Sequence, residues 1–263
     1  GTTDADVIIG LPGSDNIRGG NGTDVIQGNE DADRLYGEPN NDIIQGGLGS
    51  DQLYGGDGDD ILRGGAGNDT INGGNGLDLI DFSDGTSGIT FNLGGSPETP
   101  GGGLGTDTFS NVEGVIGTSM ADNITGTAGN NIIRGNGGAD TLNGNGGQDT
   151  YQFTSADGVG PFHTVTISNF VTGMGGNSDV LDLSQLLQGV ADPTSATELD
   201  NYLSFSQSGP NTIMAVNVDG QGAAELNVQL NAVDLTQGGT QSDAQVIQQM
   251  LDNANLNAGG GGG

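Results

Sequence analysis

A nine-residue repeat is the feature that most constrains how this chain can fold. Cut from Gly1, the first 81 residues divide without a slip into GTTDADVII, GLPGSDNIR, GGNGTDVIQ, GNEDADRLY, GEPNNDIIQ, GGLGSDQLY, GGDGDDILR, GGAGNDTIN and GGNGLDLID. Another unit, GGLGTDTFS, covers residues 102–110, and GTSMADNIT, GTAGNNIIR, GNGGADTLN and GNGGQDTYQ cover residues 117–152. A period this regular indicates a repetitive architecture rather than a flexible glycine-rich spacer.

Three positions of the unit hardly vary. The first is always glycine, the sixth is aspartate in every unit except the one that carries Asn131, and the eighth is always apolar. Glycine permits positive φ angles and a close approach of stacked turns. Positions seven to nine alternate outward, inward and outward, as in a short strand. We therefore predict a six-residue turn and a three-residue strand in each unit. Pro12 and Pro39 stand at the third position, whose N–H is then not needed for strand pairing.

The charge of the chain excludes several classes of partner. Its 34 acidic residues face only four arginines and no lysine, which gives a net charge of -30. Nucleic acid and anionic membrane surfaces need a basic patch, so neither is expected as a partner, whereas a cation is. Cysteine is absent and His163 is the one histidine, which excludes thiolate and paired-histidine metal sites. No apolar run is long enough for a membrane helix. We predict no enzymatic site.

The unit resembles the GGxGxDxUx nonapeptide of the RTX calcium-binding proteins. The resemblance implies an all-β fold, a parallel β-roll (RTX solenoid) in which units n and n+2 stack on the same side. It also implies calcium between stacked turns, held by position-six carboxylates and by carbonyl oxygens of the turns. Two blocks of this roll are expected, at residues 1–81 and 102–152, with an excursion at residues 82–101 between them.

The resemblance assigns the metal ligands to position six. The candidate ligands are Asp6, Asp15, Asp24, Asp33, Asp42, Asp51, Asp60, Asp69, Asp78, Asp107, Asp122, Asn131, Asp140 and Asp149. Pairing each with the residue eighteen positions on gives about nine candidate calcium ions, with weaker sites expected at the block ends and at Asn131. Glu30 and Asp31 are either further ligands or solvated acids, and Glu113 is placed to lend an oxygen to a neighbouring turn.

Calcium is expected to decide whether the chain folds. Ordering a glycine-rich backbone is entropically expensive, one buried apolar residue per unit offsets little of that, and the rows of carboxylates repel each other. Ions that bind only the folded form shift the equilibrium toward it. We therefore expect a largely disordered chain without calcium.

Outside the repeats, the composition changes. In the excursion, Ile89–Leu93 alternates like a strand and Pro97 and Pro100 mark a loop. After Gln152, residues 153–258 show strand-like runs at 164–170, 179–183, 213–218 and 226–230. A closing helix with Ser242 and Asp243 at its N-terminus follows, and a glycine tail covers residues 259–263. Because a solenoid needs its open end covered, residues 153–258 are expected to form a mostly-β cap.

The amino-acid sequence of this tail resembles the C-terminal target domain of type I secreted proteins, particularly large bacterial RTX adhesins. The resemblance includes the segments DVLDLSQLL and YLSFSQSGPNTIMAVNVDG. The resemblance implies an uncleaved export signal read by an ABC transporter and a location outside the cell or on its surface. We therefore expect a calcium-dependent folding and export module of an adhesin or biofilm protein. The tail of a secreted protease or lipase and a surface-layer protein remain alternatives. The chain begins inside a repeat, which suggests a fragment of a longer protein.

Overall fold

The computed structural model describes residues 1–157, 163–173, 177–188, 190–218, 225–237, 241–253 and 255–258. The expected glycine tail, residues 259–263, lies outside the described residues. The chain divides into two compact units, residues 1–118 and residues 119–263, which are described separately.

The first unit contains twelve strands among its described residues. They are β1 (Val7–Ile9), β2 (Asn16–Arg18), β3 (Val25–Asn29), β4 (Arg34–Pro39), β5 (Ile43–Leu48), β6 (Gln52–Asp57), β7 (Ile61–Ala66), β8 (Thr70–Asn75), β9 (Leu79–Asp81), β10 (Thr90–Asn92), β11 (Thr108–Ser110) and β12 (Gly114–Ile116).

Strands of alternate repeat units pair in parallel in this first unit. One sheet has the order β1-β3-β5-β7-β9-β12 and the other has the order β2-β4-β6-β8-β11. The register keeps equivalent positions together, so that Ile26 lies beside Ile44 in one sheet and Leu35 beside Leu53 in the other. These position-eight side chains are completely buried and form the core. The predicted parallel β-roll, with units n and n+2 stacked, is confirmed.

The strands in the middle of the first block are longer than predicted. Instead of three residues, β4 to β8 each cover six, because the pairing continues through positions one to three of the following unit. Glu38 pairs with Gly56 and Pro39 with Asp57, and the N–H of Asn40 donates to the carbonyl of Asp57 at 2.6 Å. The third position therefore tolerates proline because the fourth position supplies the donor. The predicted three-residue strand is found in the four repeat units of residues 117–152.

The excursion contributes a small aromatic core to the first unit. Phe91 of β10 packs between Phe82 and Phe109, with ring centroids 4.8 and 5.1 Å apart, and all three rings are buried. The peptide bond between Ser96 and Pro97 is cis. The repeat at residues 102–110, expected in the second block, stacks instead on the first, since β11 pairs with β8.

The second unit contains ten strands and two helices among its described residues. They are β13 (Asn123–Thr125), β14 (Ile132–Arg134), β15 (Thr141–Asn143), β16 (Thr150–Gln152), β17 (His163–Ser168), β18 (Val180–Asp182), α1 (Ala196–Leu199), β19 (Leu203–Ser208), β20 (Asn211–Val216), β21 (Leu226–Leu230), α2 (Asp243–Asp252) and β22 (Leu256–Asn257). Neither helix in the described part of the chain is long and apolar enough to cross a membrane.

Strands of the tail extend both repeat sheets of this unit. One sheet has the order β14-β16-β18-β22, and all of its pairs are parallel. The other has the order β13-β15-β17-β21-β20-β19. Its pairs from β13 to β21 are parallel, whereas β20 is antiparallel to β21 and β19 is antiparallel to β20. Helix α2 begins at Ser242, whose hydroxyl accepts from Gln245 in a capping box, and it contacts β19 and β22, the last strand of each sheet. The hairpin and the helix thus cover the end of the stacked strands.

Candidate metal centre

The position-six residues form two rows of hydrogen bonds in each unit, one row beside each sheet, which are here together called the aspartate ladder. The backbone N–H of each aspartate donates to Oδ1 of the equivalent residue in the next stacked turn, at 2.7–3.0 Å. The donor and acceptor pairs are Asp6 and Asp24, Asp15 and Asp33, Asp24 and Asp42, Asp33 and Asp51, Asp42 and Asp60, Asp51 and Asp69, Asp60 and Asp78, Asp69 and Asp107, Asp122 and Asp140, and Asn131 and Asp149.

The second carboxylate oxygen of most ladder aspartates is buried without a hydrogen-bond partner. This holds, among the described residues, for Oδ2 of Asp24, Asp33, Asp42, Asp51, Asp60, Asp69, Asp78 and Asp140. All eight side chains are at most 3% exposed. A buried anionic oxygen with no donor is strongly unfavourable, so such groups are normally paired or bound to a metal. Eight repetitions of the same orphaned oxygen indicate that these turns are suited to bind a cation.

The first glycine of most units leaves the space in which these oxygens converge. A Cβ placed on Gly19 would overlap Asp24 Oδ2 and lie 2.7 Å from the carbonyl oxygen of Gly37, one stacked turn further on. In the second unit, a Cβ on Gly126 would lie 2.5 Å from Asn131 Oδ1 and 2.7 Å from the carbonyl oxygen of Gly144. A side-chain oxygen and a main-chain oxygen from successive turns therefore border the same volume. Only glycine keeps that volume empty.

Burial makes these carboxylates resist ionisation when no cation is bound. Desolvation raises the pKa of Asp42, Asp69 and Asp78 to about 6, that of Asp60 to about 7 and that of Asp140 to about 8, against 3.8 for an ordinary aspartate. Neighbouring ladder carboxylates raise the pKa further by repulsion, whereas the N–H donated to Oδ1 lowers it. Arginines do not supply the counter-charge here, since Arg18 pairs with Glu38 and Arg63 with Asp81, both off the ladder.

The turns at the N-terminal end of the first ladder, and the turn that contains Asn131, use their own backbone in place of a cation. Asp6 and Asp15 each accept an N–H from position two of their own unit, from Thr2 at 2.5 Å and from Leu11 at 2.9 Å. Asn131 Oδ1 accepts the N–H of Thr127 in the same way at 2.7 Å. These are the positions at which the sequence predicts weaker sites. The hydrogen bonds give that expectation a structural basis.

The structure adds Asp179 to the ladder, a residue that the repeat pattern does not contain. Its Oδ1 accepts the N–H of Asp149 at 2.9 Å, because β18 takes the place of the next stacked unit. Its Oδ2 accepts the N–H of Val171 at 2.8 Å, so both of its oxygens have hydrogen-bond donors. The signal in the sequence was the strand-like run that begins at Asp179. Glu30 and Asp31, for which the sequence leaves open whether they are further ligands or solvated acids, are both exposed.

The arrangement suits calcium better than other metals. Calcium binds six to eight oxygens, including main-chain carbonyls, with flexible geometry. The described residues contain no cluster of three acidic or histidine side chains of the kind that holds a metal through side chains alone. Each level of the ladder instead offers carboxylate oxygens and carbonyl oxygens from two turns. These donors are hard oxygens, and the nitrogen and sulfur ligands preferred by zinc are absent from the ladder.

Comparison with known families agrees with this geometry. Four copies of the RTX calcium-binding nonapeptide repeat match at residues 1–35, 18–53, 54–88 and 116–151. No curated protein matches the chain. Residues 1–88 and 116–151 therefore consist of RTX calcium-binding nonapeptide repeats, and such repeats bind calcium.

The raised pKa values predict that protons partly replace calcium. A carboxyl group whose folded pKa lies above its unfolded pKa binds more protons in the folded state, so it favours folding at low pH and loses that effect as pH rises through the folded pKa. For the ladder this window runs from about pH 4 to the folded values of about 6 to about 8. Chain depleted of calcium should therefore gain sheet signal in circular dichroism when the pH is lowered from 8 to 5. Calcium-saturated chain should show no such gain.

Proposed function

We propose that this chain is a calcium-dependent folding and C-terminal export module of a large extracellular protein, an adhesin or biofilm protein. In this proposal the chain leaves the cell unfolded through a type I ABC transporter and folds when it meets calcium outside. RTX repeats are typical of type I secreted, calcium-binding proteins. The ladder aspartates carry the calcium, and the residues after Gln152 carry the signal that the transporter reads.

The observation that carries the proposal is the set of eight buried, partnerless Oδ2 atoms. A chain with this ladder is poorly suited to fold where calcium is scarce, because each turn buries an anionic oxygen that needs a cation. Where calcium is in the range that extracellular modules bind, millimolar or just below, the same oxygens become ligands. Because folding depends on external calcium, the chain stays unfolded inside the cell and can pass through the transporter. Once it has folded outside, it cannot return through the channel.

The tail supports the export part of the proposal in a second way. Its strands extend both sheets of the second unit, and α2 covers their last strands. In a module of this kind, the last repeat and the tail fold together. The tail leaves the cell first if the C-terminus leads, so it would provide the folded end on which the preceding repeats stack in turn.

A secretion assay tests the proposal. A passenger protein is fused upstream of Gly1, and its appearance in the medium is followed in a bacterium that carries a type I exporter. Deletion of residues 153–258 should retain the passenger inside. The double substitution Asp42→Ala and Asp60→Ala should slow its release several-fold, because it removes the carboxylates of two adjacent ladder residues and the hydrogen bond from the N–H of Asp42 to Asp60 Oδ1.

Asp57→Ala is the matched control for that double variant. Asp57 is exposed and its carboxylate contacts only the side-chain amide of Asn75 among the hydrogen bonds of the described chain, at 2.7 Å. Its release rate should equal that of the wild type. Export of the truncated fusion at the wild-type level would refute the assignment of the signal to the tail. An unchanged rate in the double variant would refute the coupling of export to calcium-driven folding.

A further inference from the structure

The regular ladder is interrupted after Asp78, the last position-six aspartate of the first block. Eighteen residues further on stands Ser96, not an acid. The next stacked turn is supplied by the return of the excursion, because β12 pairs with β9 and Gly114 lies beside Leu79. This register places Glu113 beside Asp78, at position six of a turn that the nonapeptide pattern does not predict.

Glu113 makes the contacts of a ladder aspartate. The N–H of Asp78 donates to Glu113 Oε2 at 3.1 Å, as each preceding ladder residue donates to the aspartate of the next turn. The N–H groups of Glu113 and Gly114 both donate to the carbonyl of Asp78 at 3.0 Å, which matches the bond from Leu79 to the carbonyl of Asp60 one level earlier. The hydrogen-bond pattern therefore continues across the interruption with glutamate in the place of aspartate.

The oxygens around Gly73 also repeat the arrangement of the regular sites. Asp78 is completely buried, and its Oδ2 has no hydrogen-bond partner. A Cβ on Gly73 would collide with Asp78 Oδ2 and with the carbonyl oxygen of Asn111, just as a Cβ on Gly55 would collide with Asp60 Oδ2 and the carbonyl oxygen of Gly73. Asn111 has a φ of 52°, a left-handed conformation that asparagine tolerates, so a short turn presents its carbonyl where a six-residue turn presents that of glycine.

We infer that Asp78, Glu113 and the carbonyl oxygen of Asn111 form a calcium site outside the repeat pattern, which fastens the return of the excursion to the first block. The inference rests on the proposed calcium-dependent folding of the ladder. Glutamate fits here because the turn before Glu113 is short and the extra methylene extends the reach of the carboxylate. The site provides two carboxylates and a carbonyl, which are the same kinds of donor that the other levels of the ladder offer.

Counting bound ions in Glu113→Gln tests the site. Glutamine keeps an oxygen that can accept the N–H of Asp78, so the backbone contact is retained while the charge is lost. Native mass spectrometry at saturating calcium should show one ion fewer per chain than the wild type. Hydrogen exchange in residues 108–116 should become faster, while exchange in β5, which is three strands away from β12 in the same sheet, stays at the wild-type rate.

Glu98→Gln is the control, since it removes the same charge from the same excursion at a residue off the ladder. It should leave the ion count and the exchange in residues 108–116 unchanged. If Glu113→Gln binds as many ions as the wild type, the site does not exist. Should that variant not fold, Glu113→Asp retains the carboxylate at shorter reach, and the ion at this site should then bind about tenfold more weakly. An unaltered affinity in Glu113→Asp would also overturn the inference. Failure of the wild type itself to bind calcium would instead refute the proposed function.

Discussion

In excess EGTA the chain should lose most of its sheet signal in far-ultraviolet circular dichroism, and it should regain the signal in one cooperative transition when calcium is added. The eight orphaned ladder oxygens mark eight candidate ions in the described part of the chain. An ion present at a hundred times its dissociation constant stabilises the folded form by about 2.7 kcal/mol, so eight contribute about 20 kcal/mol. Domains are stable by only about 5–15 kcal/mol, so removing the ions should unfold the ladder.

Two controls separate specific binding from general screening. Sodium chloride screens the carboxylates without filling the sites, and it should not restore the signal at matched ionic strength. Magnesium demands octahedral geometry and keeps its water, so it should be far less effective than calcium at equal concentration. A complete sheet signal in EGTA would contradict the prediction, and so would recovery in sodium chloride alone.

The repeat made most of the fold predictable, because the same local pattern of glycine, aspartate and apolar residue recurs along the repeat blocks. The glycine at position one, the aspartate at position six and the apolar residue at position eight predict turn, ligand and core separately, and all three are present in every unit except the one that carries Asn131. The buried row that includes Ile26, Leu35, Ile44 and Leu53 follows directly from that period. The tail was partly predictable by the same means, since β17, β18, β20, β21 and α2 coincide with the runs and the N-cap noted in the sequence.

What could not be predicted depends on contacts between residues distant in the sequence. The stacking of Asp107 on Asp69 spans 38 residues and that of Glu113 on Asp78 spans 35, and neither separation is a multiple of nine because the excursion intervenes. The sequence does predict that Glu113 lends an oxygen to a neighbouring turn, but it does not identify that turn as the one that contains Asp78. Asp179 joins the ladder only because β18 pairs with β16. The sequence also does not predict β19, whose short alternation at Leu203 and Phe205 becomes clear only from its antiparallel pairing with β20. The local sequence pattern predicts the repeats. Strand pairing between distant segments decides which residues outside the repeats extend the aspartate ladder.

The substitution Gly55→Ala should damage calcium binding although it removes no ligand. The new Cβ would collide with Asp60 Oδ2 and with the carbonyl oxygen of Gly73, the two oxygens that border the candidate site at this level. Because both belong to parts of the ladder fixed by strand pairing, neither can move without disturbing the bond from the N–H of Asp42 to Asp60 at 2.7 Å. Overpacking of this kind costs about 1–3 kcal/mol, to which the weakened ion adds.

The size of the expected shift follows from the number of ions that bind together. When about eight ions bind in one transition, a loss of about 3 kcal/mol raises the calcium concentration at the midpoint by only about twofold, since the loss is shared among all the ions. The direct readout is therefore the ion count at limiting calcium, which should fall by one, together with the thermal midpoint at fixed calcium, which should fall by several degrees.

Gly129→Ala is the matched control, because it tests the same chemical change where the turn has room. A Cβ on Gly129 would lie 3.5 Å from the hydroxyl oxygen of Thr127, an ordinary contact, and the residue does not need a positive φ. This variant should keep the ion count and be as stable as the wild type or slightly more so, since alanine reduces the freedom of the unfolded chain. If Gly55→Ala behaves like Gly129→Ala, the empty volume beside position one is not where the cation binds. A loss confined to Gly55→Ala instead ties calcium binding to the glycine itself, which explains why a chain of this charge keeps glycine at position one of units such as those that begin at Gly19, Gly37 and Gly73.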